Sequence, residues 1–105
     1  MKVIADGELL NLIQTGKSRK YLSVSRNKDL MAGLHQAIAI MMAVDNVKQL
    51  SAFSFLHYEK LKYGYSGSSS VRLNNRYVHR LIFKEQAEGF VLMLIDIDDT
   101  HYGNK

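Results

Sequence analysis

The run FVLMLIDI, from Phe90 to Ile97, constrains the fold more than any other stretch of the chain. Drawn as a strand, it is apolar on both faces, whereas a half-solvated strand would alternate. A strand of this kind is central in its sheet and covered on both sides, so it needs flanking strands and a packed layer. Flanking strands are expected just upstream in VRLNNRYVHRLIFKE, Val71 to Glu85, where apolar and polar residues alternate around Asn74-Asn75. That Asn pair tolerates the positive φ of a tight turn. Glu88-Gly89 marks a second turn, FLHYEKLKY reads as an earlier strand, and YSGSSS reads as a loop.

The covering layer comes from the first half. Lys2 to Ala5 reads as a short strand, and Asp6 as the N-cap of a helix with Glu8 near its positive end. Leu9, Leu10, Leu12 and Ile13 form an apolar stripe that Gly16 ends as a C′ residue. A basic, serine-bearing linker, KSRKYLSVSRNK, leads to a second helix from about Asn27 to Asp45 or Asn46. Its buried face is drawn by Leu30, Met31, Leu34, Ile38, Met41 and Met42 at three- and four-residue spacing. The methionines read as core filler, and NVKQLSAF as a further turn of helix. The expected fold class is therefore α+β, with N-terminal helices packed on one face of a twisted antiparallel sheet.

A chain of 105 residues, 47% of them hydrophobic, makes one domain spanning 1–105 with a core of its own. It has no cysteine, so neither a disulfide nor a thiolate metal site is available, and the redox compartment stays open. No apolar run reaches the roughly 20 residues of a membrane span, and MKVIADGELL makes a poor signal peptide. A soluble, cytoplasmic protein is the expectation. The net charge of +4 is unevenly spread. Lys17, Arg19, Lys20, Arg26 and Lys28 follow one another without an acid between them, as do the six basic residues from Lys60 to Lys84, while acids gather in IDIDD. Such segregation suits a phosphate backbone or another acidic partner. Strand alternation puts Val71, Leu73, Leu81 and Phe83 toward the helices, and Arg72, Arg80 and Lys84 on the opposite face, joined by lysines of the preceding strand.

Motifs for nucleotide cofactors, serine hydrolysis and zinc proteolysis are all absent, and the four histidines lack metal-ligand spacing. Neither a metal nor a cofactor is expected. His35, beside apolar neighbours in a helix, reads as a packed or boundary residue, and His79, in parity with Leu81, as a structural one, whereas His57 and His101 end strands in polar surroundings. Metal-free RNA cleavage needs a base for the 2′-OH, an acid for the 5′-oxygen, and cations for the pentavalent phosphate. Histidine can serve as either acid or base, and arginine offers a permanently charged fork for two phosphate oxygens.

The chain resembles the HigB branch of the RelE/ParE toxin superfamily, the toxins of bacterial toxin–antitoxin pairs. Members carry a segment like HPLKGxxxGxxSVRVNxxYRITF and a last strand ending near DYH. Here the counterparts are LHYEKLKYGYSGSSSVRLNNRYVHRLIF and IDIDDTHYG, so the resemblance covers essentially the whole chain. Leu61-Lys62, Gly67 and Ser70-Val71-Arg72 keep the family spacing, Arg80 takes the place of the Arg in YRITF, and Asp99 and His101 match DYH. The departures are the missing His-Pro step, a two-residue offset at His57, two more residues before HRLIF, and Thr100 for the tyrosine, with Tyr102 displaced.

The resemblance implies a ribosome-dependent endoribonuclease acting on mRNA in the A site of the 70S ribosome, held in check by a HigA-like helix-turn-helix antitoxin. It makes His101 the general acid or base, positioned by Asp99. Arg80 and Lys62 hold the scissile phosphate, and His57 is the second proton-transfer group. Lys60, Arg72, Lys84 and Tyr102 extend contact to RNA, and the basic stretch from Lys17 to Lys28 is ribosome-facing or simply solvated. Two other readings stand beside this one: a ParE-like inhibitor of DNA gyrase, and a module that binds RNA or antitoxin without catalysis.

Overall fold

The apolar run at Val91–Asp98 is an internal strand, β5, in a five-stranded sheet. The computed structural model describes residues 1–62 and 67–99. Around β5 lie β1 (Lys2–Ile4), β2 (Glu59–Lys60), β3 (Ser69–Arg72) and β4 (Arg80–Gln86), in the order β1-β5-β4-β3-β2. The last four form the expected antiparallel meander. β1 instead joins β5 in parallel, with Lys2 opposite Val91, so the sheet is mixed rather than wholly antiparallel. A parallel neighbour requires a long crossover, and the helices supply it.

Those helices are α1 (Gly7–Thr15), α2 (Leu22–Ser25) and α3 (Lys28–Ala43). Gly16 ends α1 in the left-handed region at φ 76°, with its N–H on the Leu12 carbonyl. Asp6 does occupy the N-cap of α1, but its side chain makes no capping bond. Asn27 caps α3 fully, its side chain accepting from the N–H groups of Asp29 and Leu30. Leu30, Leu34, Ala37 and Met41 form the buried face of α3. Gly33 lets that helix lie against the backbone at Leu73, because a Cβ there would stand 1.8 Å from the Leu73 carbonyl oxygen. α3 stops at Ala43, two residues before the expected end, because Val44 turns extended. The amine of Met1 then donates to the carbonyls of Met41, Met42 and Val44, which would otherwise lack helical partners. Met42 and His35 both face solvent rather than the core.

Several local expectations change. The basic linker is an ordered part of the helical layer: Tyr21 and Val24 are buried, and α2 lies within it. FLHYEKLKY is mostly not a strand. Short 3-10 helices at Val47–Ala52 and Ser54–Leu56 occupy its approach, and His57 in the left-handed region (φ 46°) turns the chain, so that only Glu59 and Lys60 pair with β3. The hairpin between β3 and β4 is wider than a two-residue turn. β4 begins at Arg80, the connection closes through Leu73 N–H to the His79 carbonyl, and Asn74 caps it by accepting from Arg76 N–H at negative φ. The turn at Glu88-Gly89 is present as a 3-10 helix, Ala87–Gly89, in which Ala87, Glu88 and Gly89 all take positive φ.

One face of the sheet, carrying Val71, Leu81, Phe83, Leu92, Leu94 and Ile97, packs with the helices into a single core. The other face of β5 is covered less completely: Asp98 is buried there, but a register shift opposite Ile82 and Phe83 leaves Ile95 exposed, and Val91 and Met93 are half-buried. Among the described residues no helix is long and apolar enough to cross a membrane.

Candidate anion-binding site on the open sheet face

Alternation along β4 turns Arg80, Ile82 and Lys84 away from the helices. Arg80 sits between Arg72 of β3 and Asp98 of β5, each directly opposite it in register. It is nevertheless buried, at 8% exposure, so its charge needs partners within the fold. Its Nε donates to Ser70 Oγ at 2.7 Å, its Nη2 donates to the His57 carbonyl, and the Glu59 carboxylate lies 3.5 Å from the same nitrogen. Three separate elements thus fix the plane of one guanidinium.

Arg72 is held less completely. It is half-buried, and its Nε has no hydrogen-bond partner among the described residues while being closed off from water. Two like charges facing each other across adjacent strands repel, and an unpartnered buried donor carries a further cost of about 1–3 kcal/mol. An oxyanion placed between the two forks would relieve the repulsion, while the Arg72 Nε, closed to water, stays closed to it as well. Glu59, whose side chain is half exposed, is the acceptor beside this point. The arrangement can therefore grip a phosphodiester and take a proton next to it.

The expected site residues fall into three groups. Arg80, Arg72 and the backbone of His57 come together as described, and Lys84 lies exposed on the same face, about 13 Å further along the strand. Lys62 is exposed just beyond Leu61, whose N–H bonds the Ser68 carbonyl. Lys60 does not join them. Opposite Ser69 and in line with Phe83, it points to the helical side, where it lines a cleft with Lys48, Tyr58 and Glu85. The alternation that brings Glu59 to Arg80 carries Lys60 away from it. His101 and Tyr102 lie outside the described residues, as does the stretch 63–66.

Asp99 is exposed and lines a second cleft of about 300 Å3 with Lys20, Tyr21, Ser23, His79, Asp96 and Asp98. There Tyr21 donates to Asp96 at 2.6 Å, and His79 Nε2 meets Ser23 Oγ at 3.2 Å. Burial lowers the His79 pKa, and the charge of Asp99 partly opposes it. Among the described residues no group of His, Asp and Glu has the geometry of a metal site.

Ser70 and Glu59 were not anticipated as site residues. Their signal was available in parity: Ser70 precedes Arg72 by two, and it was hidden because SGSSS reads as a loop although Ser68, Ser69 and Ser70 are buried. Glu59 depends on pairing with β3, which no local pattern announces.

These features define a small α+β domain that carries its helices on one sheet face and two inter-strand arginines on the other. No family model matches the sequence, and no curated protein matches it. Among solved structures, a chain of the YoeB-YefM complex from Staphylococcus aureus is similar, with a TM-score of 0.56 and 19% identity over 97% of this chain and 98% of that one. The likeness bears out the RelE/ParE-like fold that the sequence resemblance implies.

Proposed function

We propose that the chain is the toxin of a bacterial type II toxin–antitoxin pair, a metal-independent endoribonuclease that cleaves mRNA on the ribosome. The observation that carries this reading is the Arg80–Arg72 pair with Glu59 beside it, since an under-partnered cationic fork next to a proton acceptor suits attack by a 2′-OH on its neighbouring phosphorus. The fold, shared with a chain of a toxin–antitoxin complex, supports it. Placement in the HigB branch, a HigA-like helix-turn-helix antitoxin, the ribosomal A site and a cytoplasmic location all belong to the same proposal.

In this mechanism the 2′-oxygen bonds to phosphorus as its proton passes to the base, and the phosphorus–5′-oxygen bond breaks as the acid protonates the leaving oxygen. A 2′,3′-cyclic phosphate and a 5′-hydroxyl remain. Arg80 and Arg72 hold the two equatorial oxygens, whose charge grows in the transition state. Glu59 is the base favoured by position, and His57 contributes its carbonyl to orient Arg80. His101, set by Asp99, is proposed as the acid, with Lys62, Lys84 and Tyr102 as contacts along the RNA. Lys60 reaches RNA only around the β2 edge.

A translation-coupled mRNA cleavage assay tests the reading. Arg80→Ala is expected to lower cleavage by at least about 100-fold, in keeping with the loss of a transition-state donor. Cleavage at the wild-type level in an Arg80→Ala, His101→Ala double variant overturns it. Growth arrest that survives those changes together with gyrase-linked DNA breaks points instead to gyrase.

A further inference from the structure

The densest positive charge on the helical side lies in the groove between α1 and α2. This groove, of about 450 Å3, is bounded by Glu8 and Asn11 of α1, the turn Lys17–Ser18–Arg19, Leu22 and Ser25 of α2, and Arg26 at its C-cap. Leu22, Ser25 and Arg26 share one helical face, and Glu8 and Asn11 share another. The walls are pinned from within: Ser18 Oγ donates to Glu8, Asn11 Nδ2 to the Lys17 carbonyl, and Ser25 Oγ to the Gly16 carbonyl. These polar groups are already engaged. By contrast, Lys17, Arg19 and Arg26 make no ion pair among the described residues, and Leu22 is one of the exposed large hydrophobic side chains.

We propose that this groove docks an acidic segment of a partner protein that also carries an aliphatic side chain. The cations call for carboxylates, and Leu22 calls for an apolar residue set between them. Ser18 takes one oxygen of Glu8, but a carboxylate can accept further hydrogen bonds, so the backbone N–H groups of a peptide can meet it where phosphate oxygens, which only accept, cannot. Among the described residues no aromatic ring lines the groove to stack a base. The surface is on the side of the sheet away from Arg80, so the inference holds whether or not Arg80 takes part in RNA cleavage.

The test measures binding of three fluorescein-labelled probes to the full chain by anisotropy: a short peptide of glutamate and leucine, an all-glutamate peptide, and a single-stranded oligoribonucleotide. The mixed peptide is expected to bind most tightly. A Lys17→Glu, Arg19→Glu, Arg26→Glu variant is expected to weaken it by at least about tenfold, and Leu22→Ser to weaken the mixed peptide but not the all-glutamate one. Thermal melts confirm that each variant folds, and a milder charge neutralisation, Lys17→Gln with Arg26→Gln, replaces the reversal if it does not. No binding of the mixed peptide overturns the proposal, as does binding indifferent to the reversals. Equal sensitivity of the oligoribonucleotide to them, or no effect of Leu22→Ser, makes the groove a general polyanion surface and overturns it too.

Discussion

Burial acts on His79 more strongly than the charge of Asp99 does, and the balance lowers its pKa below the ordinary 6.5. The ring is flanked by Tyr77, edge-on at 6.2 Å, by Ser23, and by the cleft residues Lys20, Asp96, Asp98 and Asp99. Because the folded value is depressed, the unfolded chain takes up this proton first as the solution is acidified. The stabilising effect of neutral His79 is therefore complete above about 6.5 and is lost as pH falls through the lowered value. Urea unfolding across this window is expected to show falling stability in the wild type and a flatter profile in His79→Gln. An identical slope in both would remove His79 as the cause. Arg80 belongs to the same scale with the opposite logic: its charge is permanent, so its effect is set by partners rather than by pH.

At the scale of elements, α3 is where sequence and packing disagree most usefully. Glycine in a helix interior costs about 1 kcal/mol against alanine, so Gly33→Ala would stabilise an isolated helix. Here the added methyl meets the Leu73 carbonyl at 1.8 Å, and helix and strand must move apart. Denaturant titration is expected to show a loss of about 3 kcal/mol or more, beyond the usual range for overpacking because backbone is struck. Asn27→Ala removes the acceptor of two backbone N–H groups and is expected to cost about 1 kcal/mol. The start of α3 near Asn27, the stop at Gly16, and the alternation of Val71, Leu81 and Phe83 were legible in the residues, because each is a local consequence of spacing or backbone preference. The parallel seat of β1, the burial of SSS, and the encounter of Glu59 with Arg80 were not. Each depends on a partner strand distant in sequence, and a serine in a strand looks like a serine in a loop. The short α2 was missed for a related reason: Tyr21 and Val24 are the buried apolar residues of its stretch, too few to draw a period.

Over the whole molecule, the helices and the open sheet face carry separate fields. Arg72, Arg80 and Lys84 present their charge on one side, and the cations of the α1–α2 groove present theirs on the other. Binding of single-stranded RNA to the sheet face is expected to release counterions from about three phosphates, giving a slope near −2 in log affinity against log salt. Arg72→Ala should make that slope shallower by about 0.7, measured by anisotropy over a salt series, and an unchanged slope would place the RNA elsewhere. The pairing of Lys2 with Val91 has a consequence of another kind. Among the described strands the first in sequence pairs in parallel with the last, so this edge of the sheet rests on a contact of long sequence separation and cannot be completed locally. While a ribosome is still producing this chain, β1 can rest on the end of α3 but has no strand to pair with, and the guanidinium of Arg80 has no β5 beside it. Assembly of the cationic face is thereby deferred until translation has passed Asp98.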